Sequence, residues 1–309
     1  MSDLKNRSRS GELDHARFSP AYATGKLFRW ISASNKRYGL EWWIMIAGIF
    51  IVLLISYLAL FPGTIAPYGP NAQNAGPQLA PPGPHNWFGT DNLQRDVFSR
   101  VVWGSRTILG VAFSAAFISS VIGIPLGLLS GYLGGTADRI LSLVMDSVYA
   151  FPGLILAIAF AAMLGPGVVN ITVAVAVIYV PTYFRLVRGQ TLQLKEQLYV
   201  EAARSIGARR GTILFRYIFP NIIATVVVVF SLNIADAITT EAALSYIGLG
   251  LPAGIPDWGM DLSQGKAYLP SGIWWMITFP GLMIMLLALG FTMLGEGLAE
   301  ILNPRLLER

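Results

Sequence analysis

Charged residues and histidines are few in this chain of 309 residues, and cysteine is absent. Without cysteine, the chain forms no disulfide and offers no thiolate as a nucleophile or metal ligand. The two histidines, His15 and His85, lie far apart in polar segments, which gives no pattern for a histidine metal site. Lysine, arginine, aspartate and glutamate together make up only 13% of the residues, whereas about 25% is usual in soluble domains.

Hydrophobic residues, by contrast, make up 54% of the chain. A soluble fold must cover its core with polar side chains, and this composition leaves too few of them. The formal net charge of +5 does not indicate a nucleic-acid partner, because the basic residues lie between apolar runs rather than in one patch. The composition therefore predicts an all-α integral membrane protein that is surrounded by the lipid bilayer.

Six apolar stretches are candidates for transmembrane helices: residues 42–61, 107–133, 140–164, 168–184, 221–238 and 273–294. The first contains no charged residue and, as a helix, is long enough to cross a hydrocarbon layer about 30 Å thick. Valine-rich segments would suggest strands in water, but the strands of a membrane barrel need only about 10 residues. The lengths therefore predict six transmembrane helices, with a break at Phe151-Pro152-Gly153 in the third.

Lysine and arginine are distributed unequally between the two sides of these spans. Eighteen of them fall on the side of the N-terminus, and only four, Arg95, Arg100, Arg106 and Lys266, fall on the other side. Cytoplasmic segments of membrane proteins carry the excess of basic residues, so both termini are predicted to be cytoplasmic.

The apolar runs and the basic residues between them also predict how the chain is organised. Residues 1–41 are a basic cytoplasmic tail, with an interfacial helix near residues 26–31 and a disordered segment as the alternative for residues 1–20. Residues 42–61 are the first transmembrane anchor rather than a cleaved signal peptide, because the tail before them is long and the apolar run spans the bilayer. Residues 62–106 are an extracytoplasmic loop, residues 107–297 the main transmembrane domain, and residues 298–309 a cytoplasmic tail.

The outer loop changes character along its length. It is rich in proline and glycine as far as Pro84 and reads as extended chain. After that, Thr90 or Asp91 is expected to cap a helix. An amphipathic helical turn is therefore predicted to lead into the second span.

The cytoplasmic segment between the fourth and fifth spans, about residues 189–219, is the most informative part of the sequence. It favours helix through most of its length, and Gly207 and Gly211 permit a bend between two short helices. The small pair Ala202-Ala203 would let another backbone approach closely. Such an elbow presents its side chains to a cytoplasmic partner.

Glu201-Ala202-Ala203, followed by Gly207 and a run that ends at Pro220, resembles the EAA loop of binding-protein-dependent ABC importer permeases. In that family isoleucine and leucine precede the proline, where this chain has Tyr217 and Phe219. Those exchanges keep apolar residues at apolar positions.

Further motifs resemble the C-type permease of dipeptide, oligopeptide and nickel importers, and the resemblance covers roughly residues 40–305. Gln94 stands where this family usually has glycine, so the local turn there is not predicted. The motifs are Phe88-Gly89-Thr90-Asp91 with Arg95-Asp96, the run from Leu128 to Gly135, Glu241 with the run from Leu244 to Gly250, Trp258-Gly259, Gly295-Glu296-Gly297-Leu298 and Asn303-Pro304.

The resemblance implies a type I ABC importer permease fold in a prokaryotic plasma (inner) membrane, with residues 107–297 as the ABC permease domain. It implies half of a translocation path for peptides, first of all di- or oligopeptides, with nickel chelates and sugars as alternative solutes. It also implies four kinds of partner: a second homologous permease, two ATPase subunits or domains, an extracytoplasmic substrate-binding protein and the lipid bilayer.

The resemblance assigns coupling to the ATPase to Glu201, Ala202, Ala203, Arg204, Gly207, Arg209 and Arg210. For the arginines, the ordinary positive charge of a cytoplasmic loop is an equal explanation. The sequence contains no G-x-x-x-x-G-K-S/T motif, so the chain itself is expected neither to bind ATP nor to be an enzyme. No cofactor or metal is expected in this chain, and ATP and Mg²⁺ would be held by partner subunits.

Three acidic residues fall within predicted spans or close to their ends: Asp146, Asp236 and Glu241. An ionised side chain at the centre of a bilayer costs about 2.5–3.5 kcal/mol or more, so each needs a reason. Asp146 and Glu241 are predicted to be gate or interface residues. Asp236 is predicted to lie at the outer boundary, where it can reach water.

An ion- or proton-coupled secondary carrier is the alternative function. Such carriers often contain repeated halves, but no internal repeat is visible in this sequence. A carrier would also have no use for an exposed EAA-type loop. An intramembrane enzyme is less favoured again, because no nucleophile–base constellation is present.

The predicted orientation can be tested with reporter fusions. A reporter that is active only in the cytoplasm should work when it is fused after Arg309 or between Lys195 and Arg210, where the basic residues gather. The same reporter should fail when it is fused at Ala75. Activity at Ala75 would contradict the orientation.

Overall fold

The structure is a computed structural model that describes residues 40–302. The predicted interfacial helix near residues 26–31 and almost all of the N-terminal tail lie outside the described residues. So does the end of the C-terminal tail, including Arg305 and Arg309.

The described residues form helices joined by turns and loops, with a single isolated bridge between Thr90 and Asp96 and no other β-structure. Two short elements complete the set, a π-helical segment Ile213–Ile218 within α8 and a 3₁₀ helix Lys266–Ser271 after α9. The helices are α1 (Leu40–Leu60), α2 (Pro62–Ile65), α3 (Val97–Leu133), α4 (Gly135–Tyr149), α5 (Gly153–Leu164), α6 (Val168–Leu194), α7 (Leu198–Ser205), α8 (Arg210–Tyr246), α9 (Trp258–Gly265) and α10 (Trp275–Ile301).

Five of these helices, α1, α3, α6, α8 and α10, are each long and apolar enough to cross a membrane. The pair α4 and α5 passes the same test together, and its bend of 88° makes it either a broken sixth span or a re-entrant loop. The bend lies at the predicted Phe151-Pro152-Gly153 break, because Pro152 has no N–H to donate to the helix ladder. The prediction of an all-α membrane protein is confirmed, with five spans, or six when the bent pair is counted as one.

Several helices continue beyond the apolar runs that identified them. α3 begins at Val97 rather than Thr107, α6 ends at Leu194 rather than Phe184, and α8 ends at Tyr246 rather than Ile238. An apolar run marks only the part of a helix that lies in hydrocarbon. The backbone hydrogen bonds of the helix can continue beyond that part into water. A helix of the length of α8 therefore extends well beyond a layer about 30 Å thick.

The start of α3 is fixed by Asp96, not by Thr90 or Asp91 as expected. The Asp96 carboxylate accepts hydrogen bonds from the Ser99 backbone N–H at 2.8 Å and the Ser99 hydroxyl at 2.7 Å. These bonds satisfy an N-terminal donor that the helix itself cannot use. Gln94 adopts a left-handed conformation with φ of 59°, at the position where the resembling family has glycine.

Close contact between α3 and α6 organises the centre of the molecule. Three glycines at intervals of four residues on α3 face the backbone of α6. A Cβ atom at Gly123, Gly127 or Gly131 would lie only 2.7, 2.7 or 2.8 Å from a carbonyl oxygen of α6. Small residues at such intervals let two helices approach and gain packing energy that lipid does not offer to larger side chains.

The segment between α2 and α3 forms a folded cap, in which the proline-rich part pairs with the part after it: the Ala75 N–H donates to the Gln94 carbonyl at 3.0 Å and the Leu79 N–H to the Asp91 carbonyl at 3.2 Å. The Arg95 guanidinium bonds to Asp91 at 2.6 Å and to Gln264 at 3.3 Å. Arg100 forms an ion pair with Asp261 of α9. The indole N–H of Trp275 donates to the Thr90 carbonyl at 3.0 Å. These bonds join the cap to α9 and to the start of α10.

The α3–α6 contact predicts a matched pair of substitutions. Gly127→Ala should lower the free energy of unfolding by about 1–3 kcal/mol, because its Cβ meets the α6 backbone. Gly110→Ala on the same helix should have no such effect, because nothing lies within 4 Å of its Cβ position. Thermal unfolding in detergent measures both variants. Equal melting temperatures would show that the close approach is not required.

Candidate coupling elbow and translocation cavity

A helical elbow follows the long helix α6 on the predicted cytoplasmic side. α6 ends at Leu194, a short turn leads into α7, and the chain reverses at Gly207, whose φ is +80°. The Gly207 N–H donates to the Arg204 carbonyl at 3.0 Å, and the Ala208 N–H to the Ala203 carbonyl at 3.0 Å. This pair of bonds is the Schellman motif, which requires a left-handed residue such as glycine. The predicted bend is therefore at Gly207, and Gly211 already lies within α8.

The elbow sits on its own apolar core. Val200 of α7 is fully buried and packs with Leu128 of α3, Val187 of α6 and Ile213 and Ile218 of α8. A fully buried side chain cannot shift without disturbing its neighbours, because protein interiors are close-packed. The buried face of α7 therefore belongs to one apolar cluster with residues of α3, α6 and α8.

A second link fastens the elbow to α3. The Lys195 ammonium, just after α6, donates to the Gly131 carbonyl at 3.0 Å. That carbonyl belongs to the last turn of α3, where carbonyls lack helical partners and cations are favoured. The start of the elbow at Lys195 is thus held to α3 by a charged hydrogen bond as well as by packing.

Most of the predicted coupling residues are on the surface of the elbow. Ala203 differs, because its side chain is only 4% exposed and faces the elbow's own core. Leu198 and Ile206 were not predicted, yet each is 82% exposed, and they share a helical face with Ala202. The predicted residues that are exposed are Glu201, Ala202, Arg204, Gly207, Arg209 and Arg210.

A cavity of about 480 Å³ adjoins the elbow. Its positive charge comes from Arg204 and Arg210, and no acidic side chain of the described residues lies within 4 Å of either guanidinium. The cavity is lined by Tyr132, Leu133, Arg204, Ala208, Arg210 and Ile213. A partner that enters it would therefore meet an apolar wall and two unpaired cations.

Asp146 belongs to α4 and lies at the contact with α6. Its carboxylate accepts from the Arg185 guanidinium at 2.7 Å, and that guanidinium lies 3.9 Å from the centroid of the Tyr149 ring. Both charged side chains are about half exposed. Asp146 therefore remains accessible for the gate or interface role that the sequence predicts.

Glu241, the other predicted gate or interface residue, is fully buried inside this subunit. Its Oε1 accepts from the Ser245 hydroxyl at 3.3 Å, and its Oε2 has no hydrogen-bond partner among the described residues. Asp257 lies beside it and caps α9 by accepting from the Gly259 N–H at 2.8 Å. Burial raises the pKa of the Asp257 carboxyl. Glu241 therefore lies where α8 packs against the start of α9.

The prediction that Asp236 lies at the outer boundary of the membrane stays a prediction. α8 continues for ten residues beyond Asp236 to Tyr246, a distance of about 15 Å along the helix. The Asp236 side chain lines a cavity of about 400 Å³ between the α4–α5 bend, α6 and α8.

The comparisons with known proteins agree with this architecture. Residues 123–308 match the family described as binding-protein-dependent transport system inner membrane component. The chain is 42% identical over 266 residues to the glutathione transport system permease protein GsiD of Pectobacterium atrosepticum, covering 84% of this chain and 86% of that protein. It is 38% identical over 263 residues to the dipeptide transport system permease protein DppC of Alkalihalophilus pseudofirmus, covering 85% and 86% respectively.

A solved structure has the same fold. The MetNI methionine ABC transporter, in an inward-facing conformation, superposes with a TM-score of 0.52 at 20% identity. The match covers 62% of this chain and 91% of that chain. The family match, the permease relatives and the shared fold lead to one conclusion: this chain belongs to the binding-protein-dependent transport system inner membrane components and is a multi-pass permease subunit of an ABC importer.

Proposed function

We propose that this permease forms one half of the translocation path of a peptide importer and is driven by cytoplasmic ATPases through the elbow around α7. The other half would come from a second homologous permease. Two ATPase subunits or domains would supply ATP hydrolysis with Mg²⁺, and an extracytoplasmic binding protein would deliver the solute. One observation supports the coupling role most strongly: α7 is largely exposed, and its buried face packs into an apolar core shared with α3, α6 and α8.

Small peptides are the substrate class with the most support. Two relatives that align with more than four-fifths of this chain are named for glutathione, a tripeptide, and for dipeptides. The cavity of about 400 Å³ between the α4–α5 bend, α6 and α8 falls within the usual size of small-ligand sites. Its wall combines apolar, hydroxyl and acidic side chains, which suits a solute with amide and charged groups.

The surface of the elbow fits a mixed apolar and polar groove on an ATPase. Leu198 and Ile206 supply exposed apolar area, and Glu201 lies on the same short helix. Removing such apolar area from water on docking would be favourable, by about 25 cal/mol for each Å² buried. The exposed arginines Arg204, Arg209 and Arg210 would then meet acidic groups at the rim, although their charge also satisfies the membrane topology.

The division of the chain follows from this role. The coupling segment would be residues 189–219 within a permease domain of residues 107–297. Residues 42–61 would anchor that domain, and residues 62–106 would face the binding protein. Residues 1–41 and 298–309 would be cytoplasmic tails.

The substrate class is tested by reconstitution. The complete transporter, with its ATPases and binding protein, is placed in proteoliposomes and supplied with a labelled dipeptide, glutathione, a nickel chelate or a disaccharide. ATP-dependent uptake of dipeptide or glutathione is expected to exceed uptake of the other two by at least about tenfold. Uptake of the nickel chelate or disaccharide alone would contradict a peptide substrate.

The coupling role is tested by reversing one charge in α7. Glu201→Arg should reduce both ATPase retention and uptake by more than about tenfold, because an unpaired charge in a buried interface costs several kcal/mol. The amount of permease in the membrane should not change, since the spans keep their apolar runs. Glu300→Arg, at the end of α10, is the matched charge reversal outside the coupling segment. Wild-type hydrolysis and uptake in Glu201→Arg would rule out this role.

The bend at Gly207 gives a second pair of variants. Gly207→Pro should abolish uptake, because proline cannot adopt φ of +80° and removes the N–H that bonds to Arg204. Gly207→Asn should keep at least half of the uptake, since asparagine tolerates the left-handed conformation. Equal uptake by the two variants would show that the geometry of this bend does not matter for transport.

A further inference from the structure

The cavity between the α4–α5 bend, α6 and α8 has one acidic group in its wall. Asp236 of α8 is exposed there. No lysine, arginine or histidine among residues 40–302 lies within 4 Å of its carboxylate. The cavity therefore contains a carboxylate that has no counter-ion from the described part of its own subunit.

The position of Asp236 in a transmembrane helix makes this exposure informative. It lies within the apolar run of α8, residues 221–238, in a helix long and apolar enough to cross a membrane. An exposed acid in such a helix would be costly against lipid, and such residues in membrane proteins face water-filled cavities or partners. The face of α8 that carries Asp236 is therefore the face of an aqueous path.

The neighbouring side chains give this path a polar wall. Tyr179 and Thr182 of α6 line the same cavity, together with Thr240 one turn beyond Asp236. The Tyr179 hydroxyl and the Thr240 hydroxyl are hydrogen-bonded at 3.0 Å, which holds both in place across the two helices. Tyr149 and Phe151 also line the cavity and bring its aromatic rings to three. Aromatic faces attract cations in addition to the attraction of a carboxylate.

Arg185, which packs over the Tyr149 ring at the same cavity, already forms an ion pair with Asp146. Two contacts therefore hold its guanidinium. Within the part of the chain that the structure describes, no positive group is placed to pair with Asp236.

We propose that Asp236 binds the free α-amino group of a peptide as it passes through the cavity. This inference rests on the proposed peptide substrate. A peptide carries a primary ammonium with three donors, which a carboxylate and nearby hydroxyls can accept. A single charged contact of this kind is strong enough to orient the peptide and weak enough to release it, as passage requires.

Charge at position 236 is tested in the complete transporter with its binding protein and ATPases, reconstituted in proteoliposomes. Asp236→Asn should lower the maximal uptake of a dipeptide about tenfold, and Asp236→Glu should restore most of it, since a charged hydrogen bond is lost and regained. The amount of assembled complex should stay within twofold of wild type, which separates this effect from misfolding. Wild-type uptake in Asp236→Asn overturns the inference.

The absence of cysteine from this chain allows a second test of the same site. In Asp236→Cys, the new thiol is the only one in this permease, and the transporter without the substitution controls for thiols in other subunits. A negatively charged methanethiosulfonate reagent should raise dipeptide uptake at least threefold, whereas a trimethylammonium reagent should lower it further. No labelling in the assembled transporter, or equal effects of both reagents, overturns the inference.

The two proposals fail in different ways. If the wild-type transporter takes up no dipeptide and no glutathione, the proposed substrate class is wrong, and the ligand assigned to Asp236 is wrong with it. If the wild type takes up dipeptide and the charge at position 236 has no effect, only the assignment of Asp236 is wrong.

Discussion

The approach of α3 to α6 sets the positions of the other elements. Gly123, Gly127 and Gly131 bring the two backbones so close that a methyl group at any of them would touch a carbonyl oxygen. In lipid, helices gain nothing from burying apolar surface against each other, so close packing has to supply the association energy. The same close packing occurs between α1 and α10, where a Cβ atom at Gly48 would meet the carbonyl oxygen of Gly290.

The coupling elbow depends on that contact. The apolar core of the elbow combines Leu128 of α3, Val187 of α6 and Val200 of α7. This core can form only where α3 and α6 lie side by side. Lys195 adds a hydrogen bond to Gly131, which is itself one of the close-contact glycines. Such close packing would transmit a displacement of α7 to the spans, as the proposed coupling role requires.

The three acids near the membrane have three different environments. Asp146 has an ion pair with Arg185, Glu241 is buried beside Asp257 and Ser245, and Asp236 faces a cavity without a counter-ion. An acid in a transmembrane helix needs a partner, a neighbouring polar group or water. Asp146 finds its partner inside the subunit, whereas one oxygen of Glu241 is buried without a hydrogen-bond partner among the described residues. Asp236, which has no counter-ion among residues 40–302, is the acid for which we propose a ligand.

The sequence by itself determined the membrane class, the approximate positions of the apolar spans, the break at Pro152 and the bend at Gly207, because composition, apolar length and local backbone chemistry are properties of short segments. The Lys and Arg distribution gave the orientation as a prediction. Only the tertiary structure decided that Ala203 is buried, that Glu241 is enclosed and that Asp236 lines a cavity. Those facts depend on which helices pack together and on how far α8 continues beyond its apolar run, and neither is encoded in the hydrophobicity of a single segment.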